Sequence, residues 1–100
     1  MVVELLGRMR GNGRIFTVGG DSPATYALAF ARESGKVRGL GKIECPYDLI
    51  RSALAANEPI TLSTAAGRLM QLTIVAAGET GTHKVRVTIL HRREMFNRVA

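Results

Sequence analysis

Cysteine, histidine and aromatic side chains are scarce in this chain, and each shortage removes a class of chemistry. Cys45 is the only thiol, so an internal disulfide and a CxxC redox or zinc site are both excluded. The two histidines, His83 and His91, stand eight residues apart. At opposite ends of one strand they would be separated by on the order of 26 Å, too far to share a ligand. No HxxxH or HExxH spacing occurs. No metal or other cofactor is expected, and both histidines read as solvated strand ends. Two tyrosines, three phenylalanines and no tryptophan leave little from which to build a base-stacking platform, and no RNP-type motif is present. No apolar run nears the roughly 20 residues that cross a bilayer. The opening MVVELLGRMR lacks the basic start, apolar stretch and small-residue cleavage site of a signal peptide. A soluble, cytoplasmic protein is the expectation, and a lone cysteine says nothing against a reducing compartment.

Catalytic machinery is equally thin. None of the eight carboxylates forms a close pair on one predicted face that would share a proton. Asp48 falls in the first turn of a predicted helix, where the helix dipole accounts for it. Gly11-Asn12-Gly13 and Gly39-Leu40-Gly41 begin as GxG. Both lack the third glycine and the strand-to-helix setting of a dinucleotide fingerprint. Cys45 precedes that helix, whose N-terminus would favour a thiolate. Pro46 removes a donor there and Glu44 adds an opposing charge, so an inert thiol is expected. No nucleophile, base and orienting group come together, and the chain is not expected to be an enzyme.

What is present is a globular composition, 46% apolar and 22% charged. It suits one β-rich domain over residues 1–90, followed by a basic C-terminal tail, residues 91–100, with three arginines and one glutamate. The formal charge is +6, and 11 of the 14 basic residues are arginine. A basic surface attracts polyanions. Much arginine and alanine with little lysine also arises from the base composition of a gene.

The most readable helix lies within residues 45–59. Pro46 suits the first turn, Tyr47, Ile50 and Leu54 form an apolar stripe, and Asn57 can close the helix in a left-handed conformation. Residues 2–10 and 13–18 flank Gly11-Asn12-Gly13, and Asn-Gly predicts a tight hairpin turn. Residues 24–33 fit a helix through Ser22, Pro23 and the alanines. They fit a strand through the alternation of Tyr26, Leu28 and Phe30. Residues 36–44 alternate as a strand. A turn at Ser34-Gly35 sets Phe30 opposite Gly39, Leu28 opposite Gly41 and Tyr26 opposite Ile43. Bulky side chains covering bare glycine favour the strand. Ala27, Ala29 and Ala31 then lie on the other face beside Arg38, Leu40 and Lys42. Further strands are predicted at 59–63, 68–77 and 82–90. The expected fold is mainly β: about seven antiparallel strands in a small sandwich or half-open barrel, with one α-helix inserted between strands four and five.

For function, the sequence leads first to a non-enzymatic β-rich domain acting by protein binding or self-assembly. Apolar residues 2–6 and Met95-Phe96 would dock on a partner or a second copy. The alternative is a basic nucleic-acid-binding domain that uses an Arg/Lys-lined sheet face, with Arg38, Lys42, Lys84, Arg86, Arg92 and Arg93 as binding residues. Arg8, Arg10, Arg14 and Lys36 belong to the same basic set. Several of these cations alternate along strands, which points them to one side.

Overall fold

A computed structural model describes residues 3–90. The chain forms β1 (Val3–Thr17), β2 (Gly20–Glu33), β3 (Lys36–Glu44), α1 (Tyr47–Ala56), β4 (Ile60–Thr64), β5 (Leu69–Ala76) and β6 (Thr82–Leu90). The strands close into an antiparallel barrel in the order β1-β2-β3-β6-β5-β4. Each half of the chain is a three-stranded meander. The seams between the halves are β3 against β6 and β1 against β4.

The mainly β expectation holds, with two corrections. Among the described residues there are six strands rather than seven, in a closed barrel rather than a sandwich or half-open one, and the helix follows the third strand. Both corrections trace to Asn12-Gly13. The chain does not turn there: β1 runs straight through, and the reversal falls at Val18-Gly19, where Thr17 pairs with Gly20. Gly13 serves close approach instead. It lies opposite Thr64 of β4, and the Ser63 carbonyl presses on the place a β-carbon would occupy. A side chain at this position would push apart the seam that closes the barrel.

The β2–β3 hairpin has the predicted register, with Tyr26 opposite Ile43, Leu28 opposite Gly41 and Phe30 opposite Gly39. A β-carbon on Gly39 would stand 2.8 Å from both the Phe30 ring and a Val87 methyl. Gly39→Ala is therefore expected to overpack the wall, at a cost of about 1–3 kcal/mol. A lower urea midpoint with an unchanged m-value would report it.

Inward positions alternate along the strands where they line the core, whereas Glu4–Arg8 of β1 are all exposed. Ile15, Leu28, Ile43, Ile60, Leu62, Met70, Leu72 and Val85 fill the barrel, and α1 adds Ile50 and Ala53 from one end. The helix meets the β1–β2 turn: Ser52 lies 2.9 Å from where a β-carbon on Gly19 would stand. Pro46 is the N-cap residue, just outside the helix, and Asn57 closes it at φ 54° as predicted. The buried face is Ile50 and Ala53, whereas Leu54 of the predicted stripe is 49% exposed. With Ile50 and Ala53 facing the barrel, the helical step of about 100° per residue turns Leu54 away from it.

Candidate nucleic-acid interface

The outward face of β1, β2, β3 and β6 collects the basic residues into one field. Strand register places them in rows. Arg10 stands opposite Ala27, which faces Lys42, which faces Lys84. In the next row Arg8, Ala29, Leu40 and Arg86 follow one another across the same four strands. A third row runs Leu5, Ala31, Arg38. The alternation that turns Met9, Leu28 and Val85 towards the core turns these residues out.

The result is a groove. Ala27, Ala29 and Ala31 are the half-buried outward residues of β2 and form a floor with almost no side chain. Arg8 and Arg10 stand on one side. Lys42, Lys84 and Arg86 stand on the other. With strands about 4.8 Å apart, the β1 and β6 backbones that carry the outer cations are separated by roughly 14 Å. One end deepens into a hollow of about 520 Å³ lined by Arg10, Asn12, Thr25, Ala27, Lys42 and Glu44.

Electrostatics set this face apart. Arg14 is held by Asp21 at 2.6 Å, Arg32 by Glu4 at 3.7 Å and Arg38 by Glu33 at 3.9 Å. Among the described residues, Arg8, Arg10, Lys42, Lys84 and Arg86 have no carboxylate within 4.0 Å. Glu44, at the end of the groove, accepts a hydrogen bond from the Thr25 hydroxyl at 3.0 Å. Lys42 and Lys84 are direct cross-strand neighbours, an arrangement that places their β-carbons about 5 Å apart and disfavours like charges.

Of the residues predicted for binding, Arg38, Lys42, Lys84 and Arg86 share this face, while Arg92 and Arg93 lie outside the described residues. Arg8 and Arg10 join them because β1 is a single long strand. Arg14 is taken up by Asp21, and Lys36 sits at the β2–β3 turn. Leu5 and Leu6, from the predicted docking segment 2–6, are exposed, and Met95 and Phe96 fall outside the described residues.

The two groups considered for chemistry are structural. His83 is 0% exposed, so the reading of two solvated histidines is wrong for it; His91 lies outside the described residues. His83 shares its parity along β6 with Val85 and Val87, which face the core. The Gly78 N–H donates to its Nδ1 at 3.1 Å, which leaves the proton on Nε2 to donate to the Cys45 carbonyl at 3.1 Å. The Tyr47 ring stacks on it at 6.4 Å. Burial pushes the Cys45 thiol up from 9.0 to about 11. Cys45 therefore stays protonated and unreactive at neutral pH. Iodoacetamide at pH 8 is expected to leave the native protein unlabelled and to label it fully in denaturant, as mass spectrometry would show. The same shift makes folding less favourable as pH rises from about 9 to about 11, because the unfolded thiol ionises first. Among the described residues no cluster of three His, Cys, Asp or Glu side chains could hold a metal ion, and no helix is long and apolar enough to cross a membrane.

No family model, curated protein or solved structure matches the chain.

Proposed function

We propose that this protein binds nucleic acid through the phosphate backbone, along the outward face of β1, β2, β3 and β6. One observation carries the reading: Lys42 and Lys84 are held side by side, amid Arg8, Arg10 and Arg86, with no carboxylate within 4.0 Å of any of them among the described residues. A field of like charge costs stability by itself, and a polyanion laid in the groove removes that cost. Phe30 packs on the core and Tyr47 stacks on His83, while Tyr26, only 9% exposed, lines the hollow at the end of the groove, so little aromatic surface is offered to a base, which supports contact with phosphate over reading of bases.

A filter-binding titration tests this. With about five phosphate contacts, log K should fall with log salt at a slope of about −3.5 to −4.5, which is roughly a 100- to 500-fold loss between about 50 and 200 mM. No retention at about 50 mM salt would overturn the reading.

Protein binding or self-assembly remains the second reading, and one observation favours it. Among the described residues β1 pairs with β4 only at Gly13, Arg14, Ile15 and Phe16, which leaves the same edge without a partner from Val3 to Asn12. An open edge of this kind accepts another strand. Two copies paired antiparallel about Met9 would set Arg8 against Arg10, which opposes that arrangement. Light scattering at two concentrations separates the cases: a strict monomer removes self-assembly.

A further inference from the structure

Resting on the phosphate-binding reading above, we infer that the groove takes a single strand rather than a duplex. The ground is an apolar patch set among the cations. Leu5 and Leu40 are 59% and 56% exposed. Leu5 is opposite Ala31, and Leu40 is opposite Ala29, with Ala27 in the next row. These five residues are contiguous: the alanines run along β2 in the middle of the face, with Leu5 beside them on β1 and Leu40 beside them on β3, between Arg38 and Lys42. A bulge between Leu5 and Gly7 keeps Leu5 in line with Ala31.

A face built only to hold two phosphate backbones gains nothing from an apolar centre. In a duplex the flat surfaces of the bases are hidden in the stack, and what faces outward is charged. Pressing Leu40 against phosphate would strip water from the charge and return no hydrogen bond. A single strand is different, because its bases can turn aside from their backbone and lie on a protein surface. Here the bases would rest on Leu40 and the alanine floor while Arg8 and Arg10, or Lys42, Lys84 and Arg86, hold the phosphates. Three alanines at alternate positions span on the order of 13 Å, room for a few nucleotides. The contact is aliphatic, so it favours exposed bases without choosing among them. Phe16, an exposed aromatic on β1, stands six residues from Arg10, on the order of 20 Å along the strand, and lies outside the groove.

The experiment is fluorescence anisotropy on the full chain with a labelled oligonucleotide of about 12 nucleotides and its duplex, at matched salt. Wild type, Leu40→Thr and Ala29→Gln are compared. Leu40→Thr removes the apolar projection and keeps strand propensity. Ala29→Gln fills the floor. Neither alters charge, and thermal melts confirm that both fold. Wild type is expected to bind the single strand about tenfold or more tighter than the duplex. Each variant should lose most of that preference, through weaker single-strand binding at an unchanged salt slope. Equal or tighter duplex binding by wild type overturns the single-strand inference and leaves the phosphate reading standing. So do variants that keep the wild-type preference. Failure of wild type to bind either form at low salt overturns the phosphate reading itself.

Discussion

Lys84→Glu is expected to weaken nucleic-acid binding and, in the same protein, to raise the melting temperature. The two effects have one origin. Lys84 faces Lys42 directly across the β3–β6 seam, and Arg10 lies in the same row beyond Ala27. Like charges set opposite one another on a sheet destabilise it by a few tenths of a kcal/mol, and an opposite pair stabilises by a similar amount. The exchange should contribute about 0.5–1 kcal/mol, or roughly 3–6 °C for a domain of this size. The gain should shrink with added salt, because these side chains are exposed and screened. For binding, the substitution removes one phosphate contact and places a negative charge in the path of the backbone. A loss of about tenfold or more at moderate salt is expected, with a salt slope shallower by about one. Lys84→Gln should fall between wild type and Lys84→Glu on both measures. Melting curves and anisotropy on the same preparations suffice. Damage to the fold would lower stability and affinity together, so opposite signs identify a functional charge. Unchanged affinity in Lys84→Glu would remove this face from consideration.

The parts of this arrangement legible in the sequence are those set by neighbours along one strand or across one tight turn. Phe30 over Gly39 could be read because ring and bare backbone are complementary in shape and only a short hairpin separates them. The outward placement of Ala27, Ala29 and Ala31 beside Arg38, Leu40 and Lys42 followed from the same register. The burial of His83 was missed: its parity with Val85 pointed inward, but its polar character and its place at a strand end led to the solvated reading. Asn12-Gly13 was opaque for another reason. Glycine serves a left-handed turn and a close backbone approach equally well, and only the position of Ser63, some fifty residues onward, shows that approach is its role here. The groove has the same limit. Periodicity assigns Arg8, Lys42 and Arg86 to faces of their own strands. It does not tell which strands are neighbours, and the β3–β6 seam that brings the two lysines together exists only once the barrel has closed.

That closure gives His83 the largest expected effect on stability. Its ring is fully buried where the end of β3, the start of α1 and the β5–β6 connection meet. Nδ1 accepts from the Gly78 N–H, Nε2 donates to the Cys45 carbonyl, and Tyr47 stacks alongside. The Cys45 N–H also donates to the Gly81 carbonyl at 3.0 Å, so the ring and the backbone join the same two segments. His83→Ala would open a cavity and leave the buried Cys45 carbonyl and the part-buried Gly78 N–H without partners. Losses of about 1–3 kcal/mol accompany each unpaired group, and the cavity adds to them. Some relaxation of the connection offsets part of the total, and a net loss of about 3–4 kcal/mol is expected, read from urea unfolding. Two partial replacements separate the contributions. In asparagine the side-chain carbonyl stands as many bonds from the backbone as Nδ1 and can still accept from Gly78. In glutamine the amide nitrogen stands where Nε2 does and can still donate to Cys45. Each should restore part of the loss. Hydrogen exchange at the Gly78 amide should quicken in the alanine and glutamine variants and stay slow in asparagine. If His83→Ala costs less than about 1 kcal/mol, or the Gly78 amide exchanges alike in all three variants, the ring is packing material and does not join the two halves of the barrel.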